Sequence, residues 1–148
     1  MEQEEGILLN MSNMTNHQLA EKIKKKLEEK YEVLRASSLI YLACPYGHAD
    51  PEVQRLRFEA VNRAAAKLLN EGTTVFSPIS HTRPIAMAAQ LPEDWEFWQN
   101  YDREMLSHCS SLMVLKLDGW EKSIGVTAEI EIAKGWGMPV EYMEEVTE

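Results

Sequence analysis

Four short apolar runs separated by helical patterns constrain this chain more than any other feature. They are LIYLA (39–43), TTVFSPI (73–79), SLMVLKL (111–117) and MPVEYM (138–143). After the first run, Val53, Leu56, Ala60, Ala64 and Leu68 share one face of a helix from Pro51 to about Asn70. Pro51 suits its first turn, and the Glu71-Gly72 pair ends it. A second helix is expected from about Trp95 to Cys109, and a third opens near Ser123, ahead of the fourth run. The stretch SHTRPIAMAAQLPED (80–94) reads as a long loop. Strands alternating with helices make parallel βαβ units, because a parallel return needs a crossover of helix length. Runs that stay apolar at consecutive residues fit strands covered on both faces. The expected fold class is α/β, a doubly wound parallel sheet of flavodoxin-like or Rossmann-like type in the order 2-1-3-4, with an extra N-terminal helix.

That helix spans roughly Asn16 to Leu34, with Leu19, Ile23, Leu27, Tyr31 and Leu34 as its apolar stripe and KIKKKLEEK as a solvated face. It is expected to pack on the domain or on another subunit. Residues 1–15 read as a loose tail. The division is therefore a tail and amphipathic helix over 1–37 and one α/β domain over 38–148.

Charge and missing motifs exclude several functions. Fifteen basic against 24 acidic residues give a net charge of −9, which disfavours a nucleic-acid polymer or an anionic membrane as partner. A small anion needs only a few local donors. No run approaches the ~20 apolar residues of a membrane span, and MEQEEG does not read as a signal peptide. Cys44 and Cys109 lack metal spacing and suggest free thiols in a reducing, cytoplasmic compartment. His17, His48, His81 and His108 show no paired ligand spacing. There is no G-x-G-x-x-G, no phosphate-binding G-x-x-x-x-G-K-[ST] and no G-x-S-x-G. Neither a metal nor a redox cofactor is implied.

Doubly wound sheets bind ligands at the carboxyl ends of their strands. The site is therefore expected in CPYGHAD, which holds Tyr46, in SPISHTR, which holds His81, and in DGWEKSIG, which holds Asp118, Ser123 and Gly125. Cys44 fits a small buried thiol beside it. Two carboxylates stand out. Glu129 lies four residues after Gly125 and shares a half-buried face with Ile132, Ala133 and Trp136, while Glu131 falls nearer solvent. Asp102 shares a face with Met105 and Leu106. Taken singly, Glu129 fits an ordinary helix-start carboxylate and Asp102 a salt bridge with Arg103 or another surface charge. Two carboxylates from separate segments facing one pocket would instead suit cleavage of a glycosidic bond.

The segments IYLACPY, FSPISH, DWEFWQNYD and DGWEKSIGVTAEIEIAKGWGMPV resemble the nucleoside 2-deoxyribosyltransferase superfamily, from Leu39 to about Met143. The nearest branch comprises bacterial and phage deoxyribosyltransferase-like proteins, related to nucleoside 5′-monophosphate N-glycosidases. The resemblance implies that Glu129 is the nucleophile, that Tyr41 orients it, and that Asp102 contacts the base or assists its protonation. Ser123 matches the position that is an aspartate in transferases acting on free nucleosides and a phosphate-binding serine in monophosphate hydrolases. His81 is a candidate for touching sugar or base, and Trp95, Phe97 and Trp98 for stacking on the base. CPYGHAD departs from the small Gly/Ser-rich first loop of the monophosphate hydrolases, and Glu131 stands where relatives often have glycine. The implied activity is cleavage of the N-glycosidic bond of a nucleoside or its 5′-monophosphate, with water or a second base as acceptor. The implied partner is that small molecule, and the implied assembly a homo-oligomer. Two rivals stand beside it: a non-catalytic nucleotide-binding or sensing module, and an interaction protein dominated by the N-terminal helix.

Overall fold

The computed structural model describes residues 13–36 and 38–147. The expected tail lies outside the described residues up to position 12. The chain divides into two units, one containing helix α1 (Asn16–Ala36) and the other beginning at Ser38. A reciprocal capping box opens α1: the Thr15 hydroxyl accepts from Gln18 N at 3.2 Å, and the Gln18 carbonyl oxygen accepts from Thr15 N at 3.0 Å. Tyr31 and Leu34 of the expected stripe have side chains outside the description.

The second unit runs β1 (Leu39–Ala43), α2 (Pro51–Asn70), β2 (Thr74–Phe76), α3 (Pro78–Ala89), α4 (Trp95–Ser107), β3 (Ser111–Leu115), a 3-10 turn (Trp120–Lys122), α5 (Ile124–Gly135) and β4 (Val140–Met143). All strand pairs are parallel, in the order β2-β1-β3-β4, which is the expected doubly wound sheet. Tyr41 pairs with Leu112 and Ala43 with Val114 across β1 and β3. Side chains alternate between the sheet faces, so each strand feeds two cores. Tyr41, Ala43, Leu112 and Val114 pack under α4 and α5 with Leu106, Val126 and Ala133. Leu42, Cys44, Leu115 and Leu117 pack under α2 with Ala60, Val61, Ala64 and Leu68. Both cysteines are free and buried.

The segment 80–94 corrects the sequence reading. Most of it belongs to α3, and strand β2 stops at Phe76 where a longer strand through Ile79 was expected. Pro84 argued for a loop, since it lacks an N–H and crowds the carbonyl four residues back. It sits on an exposed face of a short helix, so the lost bond is the main cost. Ile79, Arg83 and Ala86 recur at helical spacing and turn to one side, and that is the signal the prolines concealed. Gln90 ends the helix at φ 50° in the left-handed region. Two smaller corrections concern helix ends: α4 stops at Ser107, and α5 stops at Gly135. Trp136 therefore leaves the face it was assigned and is 48% exposed. Among the described residues no helix is long and apolar enough to cross a membrane.

Candidate active site

A cleft of about 1220 Å³ opens at the carboxyl ends of the strands. Its walls come from the loop after β1, α3 and the segment following it, the first half of α4, and the loop leading from β3 into α5. This is the edge that the topology predicts, because both helical layers leave the strand ends uncovered there.

Helix α5 aims Glu129 into the cleft. Val126, Glu129 and Ala133 are its buried residues, spaced three and four apart, while Glu131 is exposed. Glu129 is 8% exposed, and its Oε2 has no hydrogen-bond partner. Burial drives its pKa well above the ordinary carboxylate value, the negative charge of Asp102 raises it further, and the Tyr41 hydroxyl opposes both. Asp102 enters from α4, one helix away, and is partly buried. Burial pushes its pKa up to about 6 against a smaller downward pull from Tyr41. Among the described residues no ion pair joins Asp102 to Arg103, so the surface-bridge reading of this aspartate falls away. Its helical neighbours Met105 and Leu106 pack in the core, as their shared face implied.

Tyr41 lies beneath this pair. It is fully buried, on the sheet face that α4 and α5 cover. Its hydroxyl is near enough to influence both carboxylates, yet it completes no well-aligned hydrogen bond with either. Burial, then the charge of Glu129, then that of Asp102 raise the phenol pKa, so Tyr41 is a neutral donor. One phenolic proton thus faces two carboxylates, neither of which has a cationic partner among the described residues. Burial disfavours the charged form of both acids, and the charge of Asp102 adds to that effect at Glu129.

The other expected residues divide into those the cleft gathers and two that it does not, His81 and the proposed stacking residue Phe97, which is 47% exposed outside the lining. Ser123, Gly125, Tyr46, Asp118 and Trp98 all line it. Ser123 is the N-cap of α5, its hydroxyl accepting from Val126 N at 3.3 Å. A Cβ on Gly125 would meet the Trp95 ring at 3.7 Å and Glu129 Oε1 at 3.8 Å, so an alanine would fit but would fill space beside the carboxylate. The Tyr46 hydroxyl accepts from Arg83 Nε at 3.1 Å. Trp98 is held by its Nε1–H on the Pro92 carbonyl at 2.7 Å and by edge contacts with Phe97 and Tyr101. His81 is exposed, outside the cleft lining, with its ring 6.1 Å from that of Phe76. Cys44 lines the cleft as a buried thiol, which desolvation keeps protonated.

Sequence reasoning passed over Arg57 and Arg83. Arg57 donates to the Gly47 carbonyl at 3.0 Å and the Asp118 carbonyl at 3.1 Å, tying the loop after β1 to the loop after β3. Arg57 lies midway between Val53 and Val61, a row that the structure turns inward, whereas Leu56 of the expected stripe is 51% exposed. Among the described residues, no group of three or more His, Cys, Asp or Glu is arranged to hold a metal.

A family model described as a domain of unknown function (DUF1937) matches residues 38–145. No curated protein matches the sequence. Among solved structures, a 2-deoxyribosyltransferase from the psychrotolerant bacterium Bacillus psychrosaccharolyticus matches with a TM-score of 0.50 and 24% identity, over 75% of this chain and 77% of that one. The two share a fold.

Proposed function

The chain belongs to the DUF1937 family, and we propose from its site that it cleaves the N-glycosidic bond of a nucleoside or nucleoside 5′-monophosphate. One observation carries the reading: Glu129 and Asp102, brought by different helices, face one open cleft above a buried tyrosine. The fold shared with a 2-deoxyribosyltransferase supports it.

In this scheme the pair holds one proton between its two carboxyl groups. Ionised Glu129 attacks the anomeric carbon as the bond to the base breaks. The base leaves with the bonding electrons and takes the proton from Asp102. Water or a second base then attacks the glycosyl-enzyme ester, giving its proton to Asp102 and releasing Glu129. Tyr41 is a positioning residue, because its hydroxyl lies near enough to Glu129 to steady the negative charge and to close a hydrogen bond on it when the nucleophile ionises. Burial that disfavours ionised Glu129 in the empty cleft raises its energy before attack, and the positive charge developing on the sugar offsets that cost.

Incubating the protein with mixed nucleosides and 5′-monophosphates, with free base followed by chromatography, tests the proposal. Release of base supports it. Binding without release from any substrate moves the reading to a nucleotide-binding module. Where turnover occurs, kcat/KM is expected to be bell-shaped in pH. Falling pH adds a second proton to the pair and neutralises the nucleophile, and rising pH strips the last proton and removes the acid. A profile that is monotonic between about pH 4 and 9 would contradict the shared proton.

The protein is further proposed to act as a homo-oligomer. Ile23 and Leu27, four apart on α1, are exposed apolar side chains. Light scattering at micromolar concentration is expected to give at least a dimer mass, and a monomer mass would remove this part of the proposal.

A further inference from the structure

The opposite wall of the cleft carries the opposite charge. Arg57 comes from α2 and Arg83 from α3, on the other side of the sheet from α4 and α5, and Lys122 ends the 3-10 turn after β3; all three line the cleft. Among the described residues none of the three has a carboxylate at ion-pair distance, whereas Arg55, Arg63, Lys67 and Lys116 each have one. Nearby acids are occupied elsewhere or solvated. Asp94 caps α4, Glu93 accepts from Gln54 Nε2 at 2.8 Å, and Asp118 is exposed. In a chain of net charge −9, Arg83 is the cation left for a ligand, while Arg57, tied to two backbone carbonyls, and the solvated Lys122 add positive charge to the same cleft.

Both arginines are held in place in advance. Arg83 donates through Nε to the Tyr46 hydroxyl, and its guanidinium carbon lies 4.6 Å from the centre of the Phe58 ring. Its two terminal nitrogens make no hydrogen bond among the described residues. Arg57 packs so closely on the loop after β3 that a Cβ on Gly119, itself at φ +86°, would meet its Nη2 at 3.1 Å. A planar fork fixed at its base and open at its tip matches the oxygens of a phosphate group. The charge also answers a problem set by the other wall, since a phosphorylated substrate brought to two carboxylates needs cations to offset the repulsion.

We propose that Arg83, supported by Tyr46 and Arg57, forms a phosphate subsite, so that the substrate is a nucleotide bound through its phosphoryl group at the α2/α3 wall. The nucleoside part of that ligand rests on the function proposed above; the phosphate part rests on the cations alone. Ser123, to which the resemblance gives this task, accepts from Val126 N and keeps its hydroxyl proton free, so it can add a neutral donor but brings no charge.

The test is calorimetric titration of the full chain with the four common 2′-deoxynucleosides and with their 5′-monophosphates. At low salt at least one monophosphate is expected to bind about 10-fold or more tightly than its nucleoside, with the ratio shrinking as salt rises. Arg83→Gln is expected to remove most of that ratio, and Ser123→Ala to change it less. Arg83→Lys, which keeps the charge and loses the fork, is expected to fall between wild type and Arg83→Gln. Equal affinities, no monophosphate binding, a salt-independent ratio, or an unchanged ratio in Arg83→Gln overturns the subsite. Base release without a monophosphate preference sinks the subsite and leaves the proposed activity standing. A preference that depends on Arg83, without base release, does the reverse.

Discussion

Glu129→Gln is expected to abolish turnover and to yield a protein at least as stable as the wild type at neutral pH. Loss of a nucleophile costs on the order of 10⁴–10⁶-fold in kcat. The amide keeps the shape of the carboxylate but cannot attack the sugar. Stability should move the other way, because the wild-type carboxylate is buried, lacks a partner on Oε2 and faces a second acid. A group whose folded pKa lies above its unfolded value does no harm below the unfolded pKa and weakens the fold as pH rises through the folded one. Glutamine escapes that loss. Thermal melts of both proteins from acid to neutral pH, run beside the base-release assay, check the two halves. An inactive variant that melts below wild type throughout would mean that Glu129 holds the fold together. Glu131→Gln, on the solvent side of the same helix, should leave both readouts near wild type, and equal activity loss in the two variants would end the nucleophile assignment.

Asp102→Asn has the second-largest expected effect, a 10²–10⁴-fold loss that depends on the leaving base, by the usual magnitude ~ of general-acid catalysis. A base that leaves poorly needs its proton early, so the loss should grow as the leaving group worsens. The alkaline limb of the pH profile should disappear, since asparagine has no proton to surrender. Stability again gives an independent readout. A rise from 3.8 to about 6 makes the buried aspartate a liability that grows as pH climbs from about 4 to above 6. At full ionisation it amounts to about 2–3 kcal/mol. The asparagine variant should therefore match wild type near pH 4 and exceed it at pH 7 in chemical denaturation. A uniform loss across bases with no stability gain would make Asp102 a structural residue.

Both expectations express one trade. Two acids without a cationic partner among the described residues, placed over a buried phenol, weaken the domain, and the proposed activity supplies the reason for keeping them there. Arg57 and Arg83 come from the other side of the sheet, where on the proposed reading they would offset repulsion of a phosphate without quenching Glu129.

The sequence by itself determined the parallel sheet, its order and the edge on which the site lies. Those features follow from local periodicity: apolar runs at strand length, stripes at helical spacing, and short connections that leave few right-handed routes between them. Glu129 and Asp102 were legible because each stands at a definite place in that pattern, whereas Tyr41 entered only through the family resemblance. Tertiary structure alone decided what they are to one another. Tyr41 could have taken either sheet face until the register of β1 against β3 put it under α4 and α5. A carboxylate near a helix start is ordinary in water, and becomes a raised, unpartnered acid only when a second helix and the sheet exclude solvent from it. Helix α3 was hidden because two prolines and a run of small residues speak locally for a loop, whereas packing of Ile79, Arg83 and Ala86 against the cleft favours a helix. Arg57 and Arg83 lie 26 residues apart on separate helices, so their meeting on one wall was absent from any local pattern. Spacing along the chain fixes direction within an element, while charge, burial and partnership are through-space quantities that exist only once the elements have packed.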